Sequence, residues 1–170
     1  DQTMFEYTAV AFVFPDDINT DYIISSRRKK DTIDPQELVP YLMEDIRPGF
    51  AAELAPRSLL VAGENFGCGS AMEVAAQIIR AAGIGVIAAK SFARSYFRNA
   101  INNGILPVEI DTSFIREGDC VQVRMDGDTI TVTDETTRQS AVCPAPGGKV
   151  REILNAGGLV PYMIQQKKKK

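Results

Sequence analysis

SLLVAGENFGCGSAMEVAAQIIRAAGIGVIAAKSFARSYFRNAINNGILPVEI, residues 58–110, is the stretch that sets the fold class. It opens on SLLVA (58–62), a fully apolar run of strand length, of the kind buried on both faces of a parallel or mixed sheet. A glycine-rich turn, GENFGCGS (63–70), leads into a helical segment, 71–82, whose polar residues Glu73, Gln77 and Arg80 form one narrow stripe. A second apolar strand (85–89), a second helix (92–102) and a third strand (105–110) follow, joined by short loops. The alternation is βαβαβ, which predicts an α/β domain built on a largely parallel sheet.

Outward from this centre, FEYTAVAFVF (5–14) is aromatic and β-branched and reads as a strand stopped at Pro15-Asp16-Asp17. Residues 22–25 read as a short strand. SSRRKK (25–30) has no apolar period, and Asp34-Pro35 reads as an N-cap with proline at the first helical position. Leu38, Tyr41, Leu42 and Ile46 supply that helix with an apolar stripe, and Pro40 kinks it or ends it early. On the C-terminal side, 120–125 and 129–133 form a hairpin about Asp126-Gly127-Asp128, and a last short helix, 149–155, stops at Gly157-Gly158. No repeat or low-complexity linker divides the chain, so residues 1–166 read as one domain. The run 167–170 reads as a frayed or tag-like, solvated lysine tail.

Composition excludes several classes of chemistry. The 170 residues contain no histidine, which removes the Ser-His-Asp triad, His-ligated metals and the usual general base near neutral pH. A net charge of -3 gives no global basic field for nucleic acid, and no apolar run is long enough to cross a bilayer. Cys68, Cys120 and Cys143 are odd in number and match neither a zinc spacing nor a disulfide framework, so the sequence reads as that of a cytoplasmic protein.

The glycine turn is the candidate site. Between a buried strand and a helix start, Asn65, Gly67, Cys68, Gly69 and Ser70 would present backbone N–H groups to a carboxylate or phosphate. No lysine follows the last glycine, so it is not a Walker loop, and the third glycine of the dinucleotide fingerprint is missing. Ser70-Ala71-Met72-Glu73 also fits a capping box, so Ser70 caps the helix, contacts a ligand, or does both. Cys68 reads as inert packing or as a thiol made more acidic by the helix start.

GENFGCGS, GIGVIAAKSFARSYFRNAINNGILPVE (83–109), DDINTDYII (16–24) and NAGGLVPYM (155–163) together resemble the small subunits of the aconitase superfamily, 3-isopropylmalate dehydratase and dimethylmalate dehydratase among them. The resemblance spans nearly the whole chain. It implies a swivelling β/β/α domain that works with a large subunit, on which three cysteines hold a four-iron four-sulfur cluster; no cofactor is expected on this chain, whose cysteines are not clustered. The implied function is that of a small subunit in a heteromeric hydro-lyase or isomerase acting on a malate-type hydroxy di- or tricarboxylic acid. Partners in nucleic acid or membrane are not expected.

Within the resemblance, Ser70 and Glu73 match the family pattern, while Ala71, Met72 and Val74 replace its base serine, its substrate-holding arginine and its histidine. Ser70 and Cys68 are therefore the candidate catalytic residues on this chain. Arg27 and Arg28 fall in the loop that selects the substrate's variable group. With Lys29 and Lys30 they suit an anionic or polar group better than an isopropyl group, since a guanidinium takes a carboxylate bidentately. Arg94 and Arg98, at i and i+4, read as structural, and Asp21 as orienting a turn. The replacements at 71 and 72 leave an alternative: a non-catalytic carboxylate- or phosphate-binding module that regulates a partner.

Overall fold

The apolar runs 58–62 and 86–89 are buried throughout, inside a single sheet covered on both faces. The structure is a computed structural model describing residues 5–169. Its elements in order are β1 (Phe5–Val13), α1 (Thr20–Ile23), α2 (Pro35–Leu38), α3 (Phe50–Glu53), β2 (Ser58–Ala62), α4 (Val74–Ala81), β3 (Val86–Ala89), α5 (Arg94–Asn102), β4 (Leu106–Glu109), β5 (Cys120–Asp126), β6 (Thr129–Asp134), β7 (Gln139–Pro144), α6 (Gly148–Ala156) and α7 (Leu159–Lys168). Single 3₁₀ turns occupy Arg28–Lys30 and Val39–Tyr41.

The seven strands form one sheet in the order β4-β3-β2-β1-β5-β6-β7. β1 to β4 are mutually parallel, whereas β1-β5, β5-β6 and β6-β7 are antiparallel. β2 is buried at all five positions, as its unbroken apolar sequence requires of a strand covered on both faces. β1 alternates instead. Tyr7, Ala9 and Ala11 join the core shared with β5 and β6, and Phe12 joins the core under the helices. Ile78 and Ile79 of α4 are fully buried in that second core beside Phe50, Phe66 and Tyr96.

Several local expectations are corrected. Residues 22–25 are not a strand: Asn19 accepts the backbone N–H of Asp21 as an N-cap, and the turn it starts buries Ile23 and Ile24. The helix expected from residue 71 begins at Val74, and Ser70 does not cap it; Glu73 takes the cap position without a side-chain hydrogen bond. β7 is an edge strand whose residues are at most half-buried, so it carries little apolar signal. α7 was hidden by Pro161, which sits in its first turn where no intrahelical donor is lost. Lys167 and Lys168 form its last turn, and Lys170 lies outside the described residues. Asp34 caps α2 with Pro35 following it, as its sequence indicates, and the α-helix ends before Pro40.

Arg47 ties the start of the helical layer to the sheet. Its guanidinium lies 5.2, 5.8 and 5.4 Å from the rings of Phe12, Phe14 and Phe50. It also donates to both oxygens of Glu53, at 3.0 and 2.8 Å, and of Glu117, at 3.2 and 2.7 Å. Glu117 in turn accepts the N–H of Val13 at 2.8 Å. These bonds hold the Glu53 and Glu117 carboxyls below the usual range.

Two predictions follow from this packing. Ile78→Ala or Ile79→Ala costs about 2–5 kcal/mol in urea unfolding, and a loss below about 1 kcal/mol at both sites would contradict the burial of α4. Because Glu53 and Glu117 are depressed in the folded state, their contribution is complete above the unfolded value near 4.5 and drains as pH falls through the folded values. Arg47→Met therefore destabilises at pH 7 and reduces the loss of stability on acidification below pH 4.5; an unchanged acid limb would refute the linkage.

Candidate functional site

The pairing of β1, β2 and β3 does not stop where the strands end. Past Ala62 the chain at 63–70 runs between residues 14–20 on one side and 90–93 on the other, in the same lateral order as the strands that feed them. Asp17 N–H donates to Glu64 O at 2.8 Å, Gly67 N–H to Ile18 O at 2.8 Å, and Thr20 N–H to Cys68 O at 2.9 Å. Across the other edge, Lys90 N–H donates to Gly63 O at 3.0 Å, Phe66 N–H to Ser91 O at 3.0 Å, and Ala93 N–H to Phe66 O at 2.9 Å. The glycine turn thus sits at the carboxyl ends of three adjacent parallel strands, the position where open α/β sheets bind ligands.

Each glycine has a packing reason. A Cβ on Gly67, which has φ +80°, would lie 2.2 Å from Cγ of Tyr96. Tyr96 cannot yield, being buried, stacked edge-on to Phe66 and bonded through its hydroxyl to Ala75 O at 3.0 Å. A Cβ on Gly69, φ +89°, would meet the Asn19 side chain at 2.6 Å, and one on Gly63 would strike Asp16. Asp16 is held there because it accepts the N–H of Glu64 at 2.7 Å. Asn65 takes a left-handed conformation, φ 61°, and its side chain donates to Asp17 at 3.1 Å.

The turn is open at Glu64 and Asn65 and again at its end. Gly69, Ser70 and Ala71 are exposed, and Ser70 is fixed through its carbonyl, which accepts the Thr20 hydroxyl at 2.9 Å. Cys68 is half-buried, and its thiol is pushed up by burial and by the nearby Asp17 carboxylate. The expected acidifying effect of a helix start is absent because α4 begins at Val74, so Cys68 is held as a thiol at neutral pH.

The cationic segment 25–30 is brought beside this turn by α1. Its four cations are placed differently. Arg28 makes a bidentate pair with Glu44, at 2.7 and 3.0 Å, and stacks over Tyr41 at 4.0 Å; that pairing holds the Glu44 carboxyl below its usual range. Arg27, more exposed, reaches Asp45 at 3.0 and 3.4 Å and Glu44 at 3.5 Å. Lys30 is exposed. Lys29 turns inward, with Nζ against Sδ of Met72 and 4.0 Å from Asp21, whose carboxylate accepts the Ser26 hydroxyl at 2.8 Å.

The structure therefore brings Asn65, Gly67, Cys68, Gly69 and Ser70 into one turn and sets Lys29 of the 27–30 segment against Met72, two residues past it. Sequence reasoning missed Tyr41, Glu44 and Asp45, which hold Arg27 and Arg28. The acidic pair following the basic run was the available signal, at a separation periodicity does not read. Arg94 and Arg98 line an open depression with Phe92, Phe97 and Glu109, apart from the exposed end of the turn. Among the described residues, no group of three or more Cys, Asp or Glu could hold a metal ion, and the three thiols are free.

Comparison with known proteins gives consistent matches. The Aconitase C-terminal domain family matches residues 45–113. The methanogen homoaconitase small subunit of Methanocaldococcus jannaschii is 42% identical over 157 residues, 92% of this chain and 91% of that protein. The 3-isopropylmalate dehydratase small subunit of Heliobacterium modesticaldum is 42% identical over 162 residues, 93% of this chain and 95% of that protein. A crystal structure of a 3-isopropylmalate dehydratase chain from Methanocaldococcus jannaschii superposes with a TM-score of 0.89 at 39% identity, covering 96% of both chains.

The shape of the turn makes one clear prediction. Gly67→Ala, which combines a left-handed backbone with collision against a fixed ring, costs at least about 2 kcal/mol. Gly83→Ala has a similar φ, +89°, but nothing within 4 Å of its Cβ, and loses only about 1 kcal/mol. Equal losses for the two variants in urea unfolding would show that Tyr96 gives way.

Proposed function

The chain belongs to the family of 3-isopropylmalate dehydratase and homoaconitase small subunits, and from that premise we propose that it is the small subunit of a heteromeric hydro-lyase acting on a malate-type hydroxy di- or tricarboxylic acid. The observation that carries this reading is the turn itself. The GENFGCGS turn, held at the ends of β1, β2 and β3, leaves Gly69 and Ser70 exposed beside a cationic segment, an arrangement suited to a carboxylate.

In this reading the chain binds and orients substrate, and the exposed end of the turn is the surface presented to the large subunit. Ser70 is the hydroxyl available to hold a proton there, because Ala71 stands at the position of the family's base serine and the Cys68 thiol is raised rather than lowered. The four-iron four-sulfur cluster implied by the resemblance does not fit this chain, whose thiols form no ligand set among the described residues. We assign it to the large subunit. The working location is the cytoplasm; no helix among the described residues is long and apolar enough to cross a membrane.

The cationic segment favours a substrate whose variable group is polar or anionic, with Arg27 and Arg28 at the selecting position. A second reading rests on Ala71 and Met72: a carboxylate- or phosphate-binding module that regulates a partner without turning substrate over.

The test is an assay of the chain assembled with its large subunit and an intact cluster, on isopropylmalate and on homologues with a carboxylate in place of the isopropyl group. Hydration or dehydration with kcat/KM favouring the carboxylate homologues is expected. Binding without turnover across the panel would favour the regulatory module, and a preference for isopropylmalate would refute the anionic-group assignment. The isolated chain, reconstituted anaerobically with iron and sulfide, gives no iron–sulfur absorbance; a stable cluster on it would overturn the division of roles.

A further inference from the structure

Of the four consecutive cations at 27–30, Lys29 is the one whose charged end lies against the residues that follow the glycine turn, at Met72. Arg28 is committed to Glu44 by two hydrogen bonds and to the face of Tyr41, and Arg27 is committed to Asp45 and Glu44. Lys30 points to solvent. Lys29 is different in both burial and company. Its side chain retains 20% exposure, against 57% for Arg27 and 33% for Arg28. Its ammonium rests on the thioether of Met72, a weak acceptor that satisfies little of a cation's demand. Asp21 stands at 4.0 Å, the outer limit of an ion pair, and also accepts the Ser26 hydroxyl. A partly desolvated ammonium with unmet donors attracts an anion more strongly than a fully solvated one, since the surrounding dielectric is lower.

Met72 lies two residues past Ser70, and it is the position at which this sequence lacks the resembling family's arginine. The positive charge missing from the turn is therefore returned to the same place from the neighbouring segment. We propose that Lys29, reaching over Met72, holds the substrate carboxylate that lies at the glycine turn, the carboxylate common to every substrate of this site, while the variable group is read elsewhere in the segment. This deepens the hydro-lyase reading and rests on it.

The experiment uses the complex of the full chain with its large subunit and compares wild type with Lys29→Met, Lys29→Arg and the double variant Lys29→Met/Met72→Arg, on isopropylmalate and on its carboxylate homologue. Lys29→Met is expected to lower kcat/KM about 10- to 100-fold, by a similar factor for both substrates, with thermal stability unchanged. Lys29→Arg keeps most of the activity, and Met72→Arg restores it in the Lys29→Met background. Unchanged kinetics in Lys29→Met overturn the proposal, and so does a loss confined to the carboxylate homologue, which would make Lys29 a reader of the variable group. An equal loss in Lys29→Arg without recovery in the double variant assigns Lys29 a structural role and also overturns it. If the wild-type complex turns over neither substrate nor any other malate-type acid, the hydro-lyase reading fails and takes this inference with it; activity in wild type that is indifferent to Lys29 removes the inference alone.

Discussion

The site depends on parallel pairing that continues past the strands that begin it. β1 and β2 pair from Val10↔Ser58 to Val13↔Val61, and the two chains then remain hydrogen-bonded through turns that contain no regular strand, as far as Thr20 and Ser70. A loop normally loses its ordering partner at the end of a strand and fluctuates. Here each flanking segment is also tied into the sheet, so the cost of ordering the turn is shared with the fold. The same bonds deliver α1, and through it the cationic segment, to one side of the turn. Were 14–20 to separate from 63–68, the two halves of the candidate site would separate with them.

Rigidity beneath the turn comes from aromatic packing. Phe66 lies edge-on to Phe92 and Tyr96, at 5.9 and 5.3 Å between ring centres, and Tyr96 is closed off by its bond to Ala75 in the first half of α4. Gly67 can cross this platform only because it has no side chain. The turn is thus clamped from below by a ring and from both edges by backbone. Glu64 and Asn65, and the final residues Gly69 and Ser70, are the parts that face outward. The three glycines, which in sequence look like an anion cradle, are each accounted for by close approach to Asp16, Tyr96 or Asn19. A ligand role for the turn therefore rests on the exposure of Gly69 and Ser70 and on the cations beside them, not on glycine content.

The central strands and helices were legible because local patterns set them: a fully apolar run for β2, one polar stripe for α4, Asp34-Pro35 for α2. What was not legible depends on contacts across long separations or on weak local signal. Tyr22-Ile23-Ile24 has the composition of a strand, and only the Asn19 cap and burial of Ile23 and Ile24 turn it into a helix. Ser70 has a capping-box sequence, yet its carbonyl is claimed by Thr20, fifty residues earlier, and the helix starts later. In the site, the glycine turn and the basic run were visible as separate motifs. Their adjacency, and the commitment of Arg27 and Arg28 to Glu44 and Asp45, belong to tertiary structure and leave no period in the sequence.

The acidic partners of the two arginines bear on how such a segment is ordered. Four adjacent cations repel one another, and a flexible polar stretch has no apolar surface with which to offset its ordering entropy. Glu44 and Asp45 neutralise two of the charges at short range, and Tyr41 gives Arg28 a flat surface to stack on, so the chain's own residues shape the segment into a single 3₁₀ turn. Under the proposed function this is preorganisation. A carboxylate at the site meets a segment whose shape is set by Glu44, Asp45 and Tyr41. The division of labour also limits what substitution can do. A change at Arg28 alters the shape of the segment as well as its charge, whereas a change at Lys29 alters mainly the field at the exposed end of the turn.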